Sequence, residues 1–236
     1  MNLSTIKITG SLNKLMTGTL VAMSVLFLSS CSTKEAPTPE VAAVMFVNTS
    51  PTPATYNIYV NGGQANTGAL PFGGAMPYSR IAPGEHSIKF TTASSTESLI
   101  TKKVAMENNK SYSLFLIGKD DKLDYLVIND EIAKRPTDKA MIRFINLSPD
   151  AAALDLGVKD GAILIGDKAY KANSTFIEVE AKKQTLQIKD KATGEMKSEL
   201  VDAEFKAGEV YTILSIGILA PTGLEQKAIL KLINNK

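Results

Sequence analysis

Residues 45–60 read MFVNTSPTPATYNIYV, and residues 143–158 read RFINLSPDAAALDLGV. An offset of 98 residues sets Phe46 on Phe144, Asn48 on Asn146, Ser50 on Ser148 and Pro51 on Pro149. The register continues without a gap through Val60 and Val158, Phe72 and Tyr170, Tyr78 and Phe176, Ile88 and Leu186. One extra residue makes the offset 99, after which Tyr112 meets Tyr211 and Gly118 meets Gly217. Aromatic on aromatic and aliphatic on aliphatic over such a length predicts two homologous domains of ordinary domain size, about 100 residues each.

Each repeat has the period of a strand. Tyr56, Ile58 and Val60 alternate with Asn57, Tyr59 and Asn61, while Leu154, Leu156 and Val158 alternate with Asp155, Gly157 and Lys159. That pattern puts one face in a core and one in water. FIEVE (176–180) and TLQIK (185–189) repeat it, and YSLFLIG and YTILSIG are denser apolar runs suited to a sandwich centre. Asn61-Gly62-Gly63, Ala82-Pro83-Gly84, Glu107-Asn108-Asn109, Lys119-Asp120-Asp121 and Lys206-Ala207-Gly208 are turn punctuation. About seven short strands per repeat and no amphipathic helix predict an all-β chain of two tandem immunoglobulin-like antiparallel β-sandwich domains. The opening stretch then reads as strand, corner, strand. Phe46 or Phe144 anchors the first strand and Asn48 or Asn146 ends it. Ser-Pro stops the ladder, because proline has no N–H to donate and holds the preceding serine extended.

The N-terminus predicts export. Lys7 and Lys14 precede an uncharged apolar run from Leu15 to Leu28, too short to span a bilayer comfortably. Leu28-Ser29-Ser30-Cys31 follows and resembles the lipobox of bacterial lipoproteins. That resemblance implies cleavage before Cys31, acylation of its thiol and amine, and anchorage through lipid rather than a helix. Cys31 is the only cysteine, so no intrachain disulfide is available. Lys7 and Lys14 also account for the excess of 26 basic over 24 acidic residues, so nothing in the charge suggests nucleic acid. The expected organisation is a signal peptide over 1–30, a flexible tether over 31–42, a first sandwich over 43–130, a linker over 131–138 and a second sandwich over 139–236. The tether assignment rests on its small, polar, proline-bearing composition. The linker, short and carrying Pro136, predicts limited hinge freedom. The residues after Cys31 lack an adjacent aspartate, which by analogy favours the outer membrane.

RFINLSPDAAALDLGV, FIEVEA and KAGEVYTILSIG (206–217) also resemble an uncharacterised family of bacterial envelope domains, often found in tandem behind a lipoprotein signal. The resemblance implies an immunoglobulin-like fold and an envelope location, and carries no active site to transfer. Thr52 departs from its Ser-Pro-Asp-Ala corner in the first repeat.

Enzyme chemistry finds little material. The single histidine, His86, faces Gln184 in the second repeat and reads as an ordinary turn residue, and no G-x-S-x-G elbow occurs. One histidine and one capped cysteine disfavour zinc. Asp150, Asp155, Asp160 and Asp167 are oxygen ligands of a kind that suits calcium, but their spacing matches no EF-hand, and solvated faces and turn caps account for them more simply. No metal site and no cofactor are expected. Exposed aromatics are the better clue: Tyr59 by alternation, and Phe72 and Tyr78 beside the Gly/Pro-rich stretch LPFGGAMPYSR, form the candidate partner face. Core packing is the competing reading for Phe72 and Tyr78, since Tyr170 and Phe176 preserve them, and interdomain packing or simple exposure is that for Tyr59. The expected role is a non-enzymatic, membrane-anchored binding or scaffolding module for envelope protein partners, with a glycan ligand as the alternative.

Overall fold

The computed structural model describes residues 40–132 and 134–235. These lie within one compact unit, Pro39–Lys236. The signal segment, Cys31 and nearly all of the tether are outside the described residues.

The first half contributes β1 (Ala42–Asn48), β2 (Tyr56–Val60), β3 (Gly63–Gln64), β4 (Ser79–Ile81), β5 (Gly84–Thr92), β6 (Ile100–Met106), β7 (Ser111–Ile117) and β8 (Asp124–Asn129). The second contributes β9 (Lys139–Leu147), β10 (Leu154–Val158), β11 (Ile163–Lys168), β12 (Ile177–Glu180), β13 (Lys183–Asp190), β14 (Met196–Glu204), β15 (Val210–Ile216) and β16 (Ile229–Asn234). The only helical piece among the described residues is a 3₁₀ turn, Asp120–Lys122. Each half has eight strands rather than about seven; in the first, β3 has only two residues, too short to register as a run. They form four sheets, β4-β1-β7-β8 with β3-β2-β5-β6, and β12-β9-β15-β16 with β11-β10-β13-β14. The second pair repeats the strand order of the first element by element. The chain is all-β, in two sandwich-like units.

Most pairs are antiparallel, but the centre of each inner sheet is not. β1 runs parallel to β7, with Ala43 opposite Ser111 and Asn48 opposite Leu116; β9 runs parallel to β15 from Met141 opposite Val210 to Leu147 opposite Ile216. Parallel pairing leaves no marker in a two-residue period, so alternation alone cannot show it.

Within each unit the two sheets close on a core. Phe46, Ile58, Ile88, Phe90 and Leu114 fill the first; Phe144, Leu156, Leu186, Ile188 and Ile213 fill the second. The other faces of the inner sheets meet in a third core. Met45, Val47, Phe115 and Ile117 from the first unit pack with Ile145, Leu147, Leu214, Ile216 and Ile233 from the second. This explains the dense apolar runs YSLFLIG and YTILSIG: these strands are covered on both faces, as sheets buried on both sides require. The layers stack outer, inner, inner, outer, and a continuous core joins the units.

The repeated corner has the same bonds in both units. Asn48 and Asn146 are buried; each side-chain oxygen accepts the N–H of the serine two residues on at 3.1 Å. Each amide nitrogen donates across the layer at 3.0 Å, to the carbonyl of Leu70 or of Lys168. Asparagine thus satisfies backbone groups stranded where a buried strand ends, a need that an apolar residue there would leave unmet. Tyr112 and Tyr211 likewise each accept, at their hydroxyls, the N–H of the residue five positions earlier at 3.1 Å, a corner bond familiar in immunoglobulin-like sandwiches.

Candidate functional site

The sequence-predicted face is dispersed by the fold. Tyr59 lies on the solvent side of an outer sheet, between Gln64 and Lys89, with the Lys89 ammonium 4.3 Å from its ring centre. It is therefore not covered by the other unit. Phe72 and Tyr78 pack against the third core instead. The three aromatics do not share a face.

Other candidates resolve into structural roles. His86 is not a turn residue: it is buried near the start of β5. Its Nε2 lies 2.7 Å from the Ala82 carbonyl, which can only accept, so Nε2 carries the proton and Nδ1 accepts from the Asn61 amide at 2.9 Å. Asp150 accepts the N–H groups of Leu219 and Ala220 at 2.9 and 3.0 Å, and Asp155 that of Asp167 at 2.7 Å. Thr52, at the position of Asp150 in the other repeat, bonds the Tyr56 hydroxyl at 2.6 Å. Among the described residues no three His, Cys, Asp or Glu side chains are placed to hold a metal ion.

Two features escaped the sequence reading. The first is a closed polar ring in the third core. Arg143, 1 % exposed, donates from Nε to the Thr212 hydroxyl at 2.9 Å, and Thr212 donates to Asn235 Oδ1 at 2.7 Å. Asn235 Nδ2 donates to the Tyr78 hydroxyl at 2.9 Å, which donates to Asp130 Oδ2 at 2.6 Å. Asp130 Oδ1 closes the ring on Arg143 Nη2, and Ser113 donates to Asp130 Oδ2 at 2.7 Å. Tyr78, Ser113 and Asp130 come from the first unit and Arg143, Thr212 and Asn235 from the second, so the ring crosses the junction. The signal was present in the repeat register: Arg143 stands where the first repeat has Met45, and Tyr78 has a hydroxyl where the second has Phe176.

Burial, and then the charge of Asp130, push the Tyr78 phenol from 10.0 up to about 12. The fold therefore favours the neutral phenol. Its contribution is whole below pH 10 and is lost as pH rises from 10 toward 12, by at most about 3 kcal/mol. Urea unfolding across that window should show the loss. Tyr78→Phe should flatten it relative to the parent, and an unaltered alkaline slope in that variant would refute the assignment. Tyr125, also raised to about 12 by burial and then Asp124, and Tyr170, raised by the same causes, contribute to the residual slope.

The second feature is a cleft of about 700 Å³ between the units, lined by Lys102, Lys119, Lys122, Asp124, Tyr170 and Ile218 among others. Its position follows from topology. β1, β7, β9 and β15 all run toward it, and it is built from the segments that follow β7 (Gly118–Asp124), β9 (Pro149, Asp150) and β15 (Ile218). It is thus at the opposite pole from Ala42, where β1 begins. Asp124 pairs with Lys102 and, at 3.8 Å, with Lys171. Burial pushes the Asp124 carboxyl up, but the bonds from Lys102 and the Tyr125 N–H outweigh it and hold the group below its usual value. Burial, then Asp124, raises the Tyr170 phenol. Lys119 bridges to Glu225 at 2.5 Å; that bond first, and then the N–H groups of Gly223 and Thr222, depress the Glu225 carboxyl to about 2. Gln226 N–H also bonds the Pro51 carbonyl at 2.8 Å. The 218–227 loop is therefore tied down at Asp150, Lys119 and Pro51, yet presents Leu224 82 % exposed.

The fold and these features define an all-β double sandwich with a polar junction. The model of a family described as a domain of unknown function, DUF4397, matches residues 42–157, which is the first unit together with β9 and most of β10. No curated protein matches. Among solved structures, the chain is similar to CBMbc, a family CBM26 domain of Eubacterium rectale Amy13K solved with maltoheptaose, at 8 % identity and TM-score 0.27, covering 83 % of this chain and 97 % of that one. It is also similar to the Bacillus anthracis TIE protein, at 12 % identity and TM-score 0.23, over 76 % of this chain and 34 % of that one. A DUF3823 family protein from Bacteroides ovatus matches at 9 % identity and TM-score 0.21, over 71 % and 99 %.

Proposed function

We propose that the chain is a lipid-anchored envelope protein, carrying two tandem copies of one domain, that binds a protein partner without catalysis. The observation that carries this reading is the cleft at the ends of the four inner strands. The described chain enters at the other pole, so a tether attached there would hold the cleft outward. Its lining mixes lysines with aspartates, and the tied-down loop that leaves it after Ile218 carries an exposed leucine. An apolar side chain fixed in water next to paired charges suits a protein surface with a pocket and a polar rim. A sugar would gain little from Leu224. Anchorage rests on the Leu28–Cys31 signature, and the outer membrane is the proposed address.

A photo-crosslinking residue at position 122, in intact cells, should capture a discrete protein partner. Leu224→Asp should reduce that capture roughly tenfold, the scale of one interface anchor. Cys31→Ser should lose both fatty-acid labelling and the cross-link. Capture of no protein, together with saturable binding on a glycan array, would replace the protein reading with the glycan one.

A further inference from the structure

The cleft that follows β7, β9 and β15 contains one strained backbone position. Lys171, in its wall, has φ 68°, within the left-handed region. The other non-glycine residues of the described chain with such a φ are all asparagine or aspartate, whose short polar side chains tolerate it; lysine has no such excuse. The first repeat shows that an unstrained residue fits the same turn. Its equivalent is Gly73, at φ 70°. The Gly73 N–H donates to the Asn48 carbonyl at 2.8 Å, and the Lys171 N–H donates to the Asn146 carbonyl at 2.8 Å. Lysine is therefore kept at this turn for its side chain, and an outlier of that kind points toward function.

Contacts within the chain do not offset the strain. The Lys171 ammonium lies 3.8 Å from Asp124 and 5.5 Å from the centre of the Tyr170 ring. Both members of that ion pair are partly exposed, and Lys102 already bonds the same carboxylate, so the second bridge adds little. The other carboxylates of the site are occupied too. Asp150 accepts the Leu219 and Ala220 N–H groups, and Glu225 accepts Lys119 and the N–H groups of Thr222 and Gly223. Asp121 is the remaining one, exposed on the 3₁₀ turn. Donors, by contrast, are in surplus. Each ammonium carries three N–H groups. Lys102 and Lys119 aim one each at a carboxylate, and those of Lys122 and Lys171 face water. The cleft therefore suits an acceptor of low charge. A compact dianion such as phosphate would crowd the Asp121 and Asp124 carboxylates.

We propose, resting on the partner reading above, that the protein partner offers this cleft an acidic segment, and that Lys171 reads one of its carboxylates. Lys122 supplies a second ammonium. The Tyr170 hydroxyl, kept protonated by burial and by Asp124, is a further donor. Leu123, Pro149 and Ile218 give an apolar side chain of the same segment a surface to lie against.

Titration of the ¹⁵N-labelled full chain tests the site. The peptide Glu-Glu-Leu-Glu-Glu, capped at both ends, should bind saturably and shift the Lys119, Lys122 and Lys171 amides. Its uncharged counterpart Gln-Gln-Leu-Gln-Gln should bind at least roughly tenfold more weakly. Lys171→Gly, which installs the residue of the first repeat, should weaken the acidic peptide roughly tenfold while the melting temperature holds or rises. Lys171→Arg, which keeps the charge, should bind like the parent. No saturable binding of the acidic peptide, equal binding of the two peptides, or parent-like binding in Lys171→Gly overturns the proposal. So does a lower melting temperature in that variant, which would assign the lysine to the fold, or saturable binding of polygalacturonate in place of the peptide, which would assign the cleft to an acidic glycan. The partner reading fails separately, on the absence of a captured protein at position 122; capture undiminished in Lys171→Gly upholds that reading and overturns this one.

Discussion

Asp130→Ala is expected to destabilise the chain by about 3–5 kcal/mol, the cost of stranding a buried partner of opposite charge. The loss is large because Arg143 and Asp130 side chains are each only 2 % exposed, so water cannot replace the missing carboxylate. The Tyr78 and Ser113 hydroxyls would lose their acceptor at the same time. Urea midpoints at neutral pH, with the slope unchanged, measure the effect. The molecule itself supplies the control. The first repeat carries Met45 where Arg143 stands, so Arg143→Met combined with Asp130→Asn removes both charges and leaves a residue of similar bulk. That double variant should recover most of the loss, since a buried pair replaced by apolar volume is often near neutral. A double variant as unstable as Asp130→Ala alone would show that the ring contributes far more than its ion pair.

Phe115→Ala should cost about 3–5 kcal/mol, the sum of lost burial and the cavity left behind. Phe115 is fully buried in the third core, which belongs to neither sandwich alone. The consequence is therefore shared: thermal unfolding should remain one transition, shifted down as a whole. Calorimetry distinguishes the outcomes. Two separated transitions, with only the earlier one moved, would mean that the units unfold independently and that the shared core does not couple them. Against a usual net stability of about 5–15 kcal/mol, either substitution removes a large share.

Much of the fold was legible in the residues. Alternation at Tyr56–Val60 and Leu154–Val158 marks half-buried strands, Gly and Pro clusters mark their ends, and the 98-residue register relates one half to the other. The third core was hidden for a physical reason. A strand covered on both faces is simply apolar throughout, as in β7 and β15, and apolarity does not say what covers it. The ring was hidden differently. Its members are scattered from Tyr78 to Asn235, and only comparison of Met45 with Arg143 would have flagged a charge within a buried strand. The cleft draws Lys102, Lys119, Pro149, Tyr170 and Ile218 together through chain folding, and no spacing records that meeting. Tyr59 was correctly assigned to the wet side of its strand; what alternation could not supply was its distance from Phe72 and Tyr78.

The parallel central pairs also govern the order in which the molecule can assemble. In each unit the first strand lies between its sheet neighbours, and Thr49 bonds Leu116, as Ser148 bonds Ser215, 67 residues further along the chain. A chain emerging from its N-terminus exposes β1 and β9 well before the strands that complete them arrive. Each inner sheet must therefore close a long loop before its central ladder yields any stabilisation, which is the signature of slow, high-contact-order folding. Under the proposed export, such delay would keep the leading segment extended while the rest is still in transit.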